Sequence, residues 1–164
     1  AEHIKTQTAS SQPIVLMGSE VPFPFQPRPS QIMSNQFPPG VLACMPLLED
    51  WKVLSRLASN QGYSGCFNGF VTDLAKYILN LDASTTNEFE IFACGPNTML
   101  QAVKMLASEF SLPCQISLEE HMACAVGGCA GCAVEIREGQ KVAMKRVCVD
   151  GPIFNAETVV FSSE

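Results

Sequence analysis

The chain has 164 residues, is 47% hydrophobic, and carries a net charge of −6 with only 16% charged side chains. That acidic balance argues against nucleic acid and against an anionic membrane surface, and no apolar run approaches the roughly 18 residues that cross a bilayer. The length suits one ordinary domain or two small ones, with enough apolar side chain to build a core. Residues 1–12 read as a polar lead-in without a signal-peptide core. Eight cysteines and no export signal point to a reducing compartment, the cytoplasm, where thiols serve metals rather than disulfides.

PIVLMG (13–18) reads as a short buried strand, an apolar run closed by glycine. Residues 19–40 hold six prolines and three phenylalanines, which predicts a long covering loop that packs down onto the domain. A short helix is expected over 46–51 and a strand over 53–58, followed by a polar glycine-bearing loop, 59–69. FVTDLAKYILNLD (70–82) is a predicted helix, because Val71, Leu74, Ile78 and Leu81 recur at helical spacing and Thr72 can cap its start. NEFEIFACG (87–95) predicts a strand, with Phe89, Ile91 and Ala93 on one side and Phe92 and Cys94 on the other. PNTMLQAVKMLASEF (96–110) predicts a helix with Pro96 in the first turn and Met99, Val103, Leu106 and Phe110 as its buried stripe. Strand, loop and helix alternate, so the fold class is α/β with a partial doubly wound, Rossmann-like sheet over residues 1–112.

After Leu112 the texture changes to short strands and turns. CQISLEE (114–120) reads as a strand and turn, AVEIRE (133–138) as a strand, EGQK as a tight turn, Asp150–Pro152 as another turn, and TVVF (158–161) as a last strand. Residues 113–164 thus form the expected second, smaller domain.

Two patterns carry chemistry. Cys124, Cys129, Cys132 and Cys148 follow C-x4-C-x2-C, with fifteen residues before the last cysteine. That is the plant-type spacing for a 2Fe–2S cluster, in which three cysteines on one loop wrap two irons and a distant fourth closes the site. Ala125, Gly127, Gly128, Ala130 and Gly131 are small enough to let the backbone come close to the cluster. A structural zinc is the competing reading, although paired C-x2-C knuckles are its usual signature and only one is present. The second pattern is FACGPNTM (92–99). It places Cys94, Gly95 and Pro96 at the carboxyl end of a strand, before a helix, where α/β sheets bind ligands; a buried cysteine serving as core filler is the bland alternative.

Together, GFVTDLA (69–75), FACGPNTML (92–100), SLEEHMACAVGGCAGCAVEI (117–136) and KRVCVDGPIFNAETV (145–159) resemble the electron-transfer subunit of NAD-dependent dihydroorotate dehydrogenases, in the ferredoxin–NADP reductase superfamily. Hydrogenase gamma subunits are similar in the C-terminal part. So are the small subunits of bifurcating NADH–ferredoxin–NADP reductases, but there an aspartate resembles the first ligand and here Cys124 stands, which favours the dihydroorotate group.

The resemblance implies a FAD barrel, a nucleotide domain and a C-terminal 2Fe–2S segment ligated by the four cysteines named above. It also implies that Cys94, Gly95 and Pro96 lie near a nicotinamide. The expected partner is a catalytic FMN subunit that oxidises dihydroorotate in pyrimidine biosynthesis, in a hetero-oligomer. Electrons would cross the cluster singly to FAD and leave as hydride to NAD. No flavin motif, no barrel-length β region and no glycine-rich GGGxGxxP loop is found, so the chain is expected to be the C-terminal part of a longer protein, with FAD bound elsewhere and the chain inactive alone. ASNQG (58–62) stands where many relatives have an acidic segment, which weighs against NAD use. The readings in competition are the dihydroorotate-type subunit, an equivalent subunit of another redox complex, and a zinc-stabilised interaction module.

Overall fold

The computed structural model describes residues 12–81 and 89–161. Most of the lead-in 1–12, the start of the strand expected over 87–95, Asp82 and residues 162–164 lie outside them. The chain divides into two compact units, residues 1–82 and 83–164. The change of texture near residue 112 therefore falls inside the second unit.

In the first unit, β1 (Ile14–Gly18) pairs in parallel with β4 (Leu54–Ala58), from Ile14 opposite Leu54 to Gly18 opposite Ala58. Between them come β2 (Arg28–Pro29) and β3 (Ala43–Cys44), a short antiparallel pair, and α1 (Pro46–Asp50). Helix α2 (Val71–Leu81) follows β4. Its Leu74 and Ile78 pack with Phe37, Val41 and Ala58, and β1 and β4 contribute Ile14, Leu16 and Leu54. The apolar stripe is rotated slightly from the expected one: Leu79 is buried and Leu81 exposed. The start is secured by the Asp73 carboxylate, which accepts the Phe70 N–H at 3.2 Å, a role the sequence suggested for Thr72.

The proline-rich loop does pack down. The buried Glu49 carboxylate on α1 accepts hydrogen bonds from Ser30 Oγ (2.9 Å) and from the N–H groups of Gln31 (2.5 Å) and Ile32 (3.2 Å). Arg56 of β4, 1% exposed, donates to the carbonyls of Ile32, Val41 and Ser55 and lies 4.7 Å from the Phe37 ring centre. A buried guanidinium is tolerated because its donors are satisfied and an aromatic face covers it.

In the second unit, β5 (Ile91–Cys94) pairs in parallel with β6 (Cys114–Ser117), and β6 pairs antiparallel with β9 (Ile153–Asn155). Helix α3 (Asn97–Glu109) connects β5 to β6 and buries Leu100, Val103, Leu106 and Ala107. Pro96 is the residue before the helix rather than part of its first turn. The β7 strand (Ala133–Glu138) lies where the sequence placed it and forms a hairpin with β8 (Lys141–Arg146). A single-turn helix, α4 (Val147–Asp150), carries Cys148. The strand expected over 158–161 is reduced to one bridge, Val159 to Ile136. Leu100, Val103, Ile116, Leu118, Cys132, Ile136, Val147, Ala156 and Val159 belong to one core. The cysteine segment is thus anchored to the β5–α3–β6 layer through two buried residues, Cys132 and Val147.

The architecture is mixed α/β, with one parallel pair in each unit among the described residues. No helix among them is long and apolar enough to cross a membrane.

Candidate iron–sulfur site

The loop from Cys124 to Cys132 has no regular secondary structure, and its tight path needs unusual backbone angles. Ala125 and Ala130 both have φ of 55° and Gly127 has φ of 79°. Alanine in the left-handed region is unusual and costs conformational energy, so local contacts must hold it there. Three do. The Ala133 N–H donates to the Ala130 carbonyl at 3.2 Å, the Val147 N–H donates to the Cys132 carbonyl at 3.0 Å, and Arg146 Nη1 donates to the Gly127 carbonyl at 2.7 Å.

The four thiols occupy graded environments. Cys129 is exposed, Cys124 and Cys148 are half-buried, and Cys132 is buried. They stand as two pairs. In the first, the Cys129 N–H donates to Cys124 Sγ at 3.4 Å, and the Gly131 N–H donates to Cys129 Sγ at 3.4 Å. In the second, the Cys132 and Cys148 thiols are neighbours, each shifting the other's titration. Among the described residues, no three His, Cys, Asp or Glu side chains converge as a metal-holding group.

The electrostatics favour thiolate at two of the four, Cys124 and Cys132. N–H groups of Val126 and Cys129 at the sulfur, with a further one from Gly128, pull Cys124 down to about 6. Cys132 is lowered too, chiefly by the Cys148 N–H and then by the Cys148 thiol, while Cys148 is raised, chiefly by the neighbouring Cys132 thiol. Thiolate is the form that ligates iron, and N–H groups already directed at sulfur stabilise it. The donor set therefore fits a soft, all-thiolate centre. A Cβ at Gly131 would stand 3.5 Å from Cys129 Sγ, an ordinary van der Waals contact, so space alone does not require glycine there.

At the second pattern, Cys94 and Phe92 (58% exposed) face outward from β5 while Ile91 and Ala93 pack inward, as the alternation predicted. Cys94 is exposed, so it is not core filler, and its Sγ lies 3.8 Å from Glu119 Oε1. Gly95 makes room for Met99, whose Cε would stand 2.6 Å from any Cβ at that position. The remaining cysteines are separate from the motif. Cys44 is buried against the Arg28 carbonyl (3.2 Å), Cys66 is half-buried, and burial pushes Cys114 up to about 11. Sequence reasoning missed Arg146 and Asp150. Their signal was present as a basic and an acidic residue four apart across Cys148, the spacing of one helical turn.

Residues 119–160 match the family described as the iron–sulfur cluster binding domain of dihydroorotate dehydrogenase B. A solved structure reported under flavin-based electron bifurcation, of an NADH-dependent reduced ferredoxin–NADP oxidoreductase, superposes with a TM-score of 0.52 at 26% identity, covering 73% of this chain and 40% of that one.

The particular likeness is to curated proteins named dihydroorotate dehydrogenase B (NAD(+)), electron transfer subunit. The one from Caldanaerobacter subterraneus is 49% identical over 71 residues, 43% of this chain and 29% of that protein. The one from Clostridium perfringens is 37% identical over 106 residues, covering 65% and 38%. A probable subunit of this kind from Methanocaldococcus jannaschii is 34% identical over 120 residues, covering 71% and 42%. The chain thus spans well under half the length of these relatives.

Proposed function

We propose that the chain supplies the iron–sulfur portion of the electron-transfer subunit of a dihydroorotate dehydrogenase. The observation that carries this reading is the four-cysteine pattern inside the segment 119–160 that matches the iron–sulfur family. Cys124, Cys129, Cys132 and Cys148 would hold a 2Fe–2S cluster. Bound there, such a cluster supplies one-electron transfer. The chain's own part is to favour thiolate at Cys124 and Cys132, to direct backbone N–H groups at the Cys124 and Cys129 sulfurs and to cover Cys132 with the core of the second unit.

The functional division would then fall near residue 112, with 1–112 as a partial nucleotide-domain-like segment and 113–164 as the cluster segment. Cys94, Gly95 and Pro96 would face the nicotinamide of NAD, with Cys94 exposed at the end of β5 and free to approach a ring. FAD is assigned to no residue of this chain, and the partner would be the FMN-containing catalytic subunit.

The partner assignment is tested by mixing the cluster-loaded chain with an FMN-containing dihydroorotate-oxidising subunit and adding dihydroorotate anaerobically. Bleaching of the visible iron–sulfur absorption that requires both the subunit and dihydroorotate is expected. Bleaching by dithionite but not by this pair would assign the chain to a different redox complex, for which hydrogenase-type subunits are the runner-up.

A further inference from the structure

We propose that Arg146 and Asp150 are positioning residues that fix the Gly127–Gly128 peptide and latch the three-cysteine loop to the helix bearing Cys148. The geometry stands independently of the cluster; its consequence for the cluster rests on the ligand reading above.

Sequence alone leaves the loop and α4 fifteen residues apart, joined by the β7–β8 hairpin. Two ties bring them together. One is backbone only, the Val147 N–H on the Cys132 carbonyl at 3.0 Å. The other runs through Arg146. The Arg146 N–H donates to Asp150 Oδ2 at 2.8 Å and its Nε approaches the same oxygen at 3.4 Å, so one carboxylate fixes both ends of the arginine. The free arm of the fork, Nη1, then reaches the Gly127 carbonyl at 2.7 Å.

A trans peptide points its C=O and N–H in opposite directions. Holding the Gly127 carbonyl on Arg146 therefore also fixes the direction of the Gly128 N–H, on the opposite side of that peptide. The close approach depends on glycine. A Cβ at Gly127 would stand 3.1 and 3.2 Å from the Val149 methyls and 3.3 Å from Arg146 Nη1, and φ there is 79°. Arg146 thus holds the three-cysteine loop through the Gly127 carbonyl, without touching a sulfur.

A guanidinium held against the loop favours the more negative state of a thiolate centre. Arg146→Ala should therefore lower the reduction potential and speed iron release to a chelator about tenfold, as expected for one lost charge-assisted hydrogen bond. Arg146→Lys keeps the charge but not the fork, and should leave release fast while restoring part of the potential. Asp150→Asn is a milder variant that should loosen the loop in the same direction.

The deciding measurement also uses the metal-free chain: amide hydrogen exchange over residues 125–131, with the α3 amides as a control for intact fold. Faster loop exchange in Arg146→Ala and Asp150→Asn, with α3 unchanged, supports the latch even if the wild type binds no iron, in which case only the ligand reading fails. Wild-type exchange and wild-type iron release in both variants would overturn the latch while leaving the ligand reading intact.

Discussion

Cys129 is the most exposed of the four proposed ligands, and its sulfur accepts the Gly131 N–H within the loop. Cys129→Ser removes one thiolate of four while disturbing no core contact. Iron content should fall by more than about tenfold, since changes to groups that merely support a metal ligand already cost about 10–100-fold; wild-type iron in that variant would refute the ligand set. Cys44→Ser and Cys66→Ser, both in the first unit, should keep full iron and absorbance.

The metal-free thiols should also differ in reactivity. Cys124, drawn down to about 6 by backbone N–H groups, is mostly thiolate at pH 7, whereas burial holds Cys114 near 11 and protonated. Timed alkylation followed by peptide mapping should modify Cys124 early, at a rate that levels off above about pH 7, and Cys114 last. The reverse order would contradict these environments.

At the scale of elements, Glu49 ties the proline-rich loop to α1. Burial pushes its carboxyl up, but the N–H of Gln31, the hydroxyl of Ser30, the Cys44 thiol and the N–H of Ile32 outweigh that and hold it below its ordinary value. The unfolded carboxylate therefore takes up protons at higher pH than the folded one. The stabilisation is fully present above the ordinary carboxylate range and is lost as pH falls through the lower folded value. Glu49→Ala should cost about 2–4 kcal/mol by denaturant titration, because it strands buried donors, and Glu49→Gln should flatten the acid side of the stability profile.

Elements with a clear period were legible from the residues alone. Helices α2 and α3 and strands β4 and β7 fall within a residue or two of expectation, because their apolar repeats match what the cores accept. Three elements around the fourth cysteine were not. Strand β8, LysValAlaMetLysArg, exposes Val142 and Met144, so it lacks a clean inward face. Helix α4 is a single turn with no period to read, and β9 exists because β6 offers it an edge beyond the Gly151–Pro152 turn. These are tertiary outcomes, and Arg146 and Asp150 become meaningful only once α4 exists.

For the whole molecule, the proposed ligand set stands out in the sequence because thiolate chemistry constrains spacing, while the proposed nucleotide role of Cys94 rests on one exposed thiol at the end of β5. A one-electron centre delivers no hydride, which needs two electrons together. The cluster-loaded chain alone should therefore produce no NADH from NAD and dithionite-reduced protein; NADH formed without added flavin would contradict the division of labour proposed here.

The most direct test is iron and acid-labile sulfide on anaerobically prepared protein, with an EPR spectrum after dithionite. Two irons and two sulfides per chain with a rhombic signal on reduction are expected for a four-thiolate 2Fe–2S centre. Stoichiometric zinc, with no sulfide and no signal, would contradict it and leave a metal-stabilised interaction module without redox chemistry.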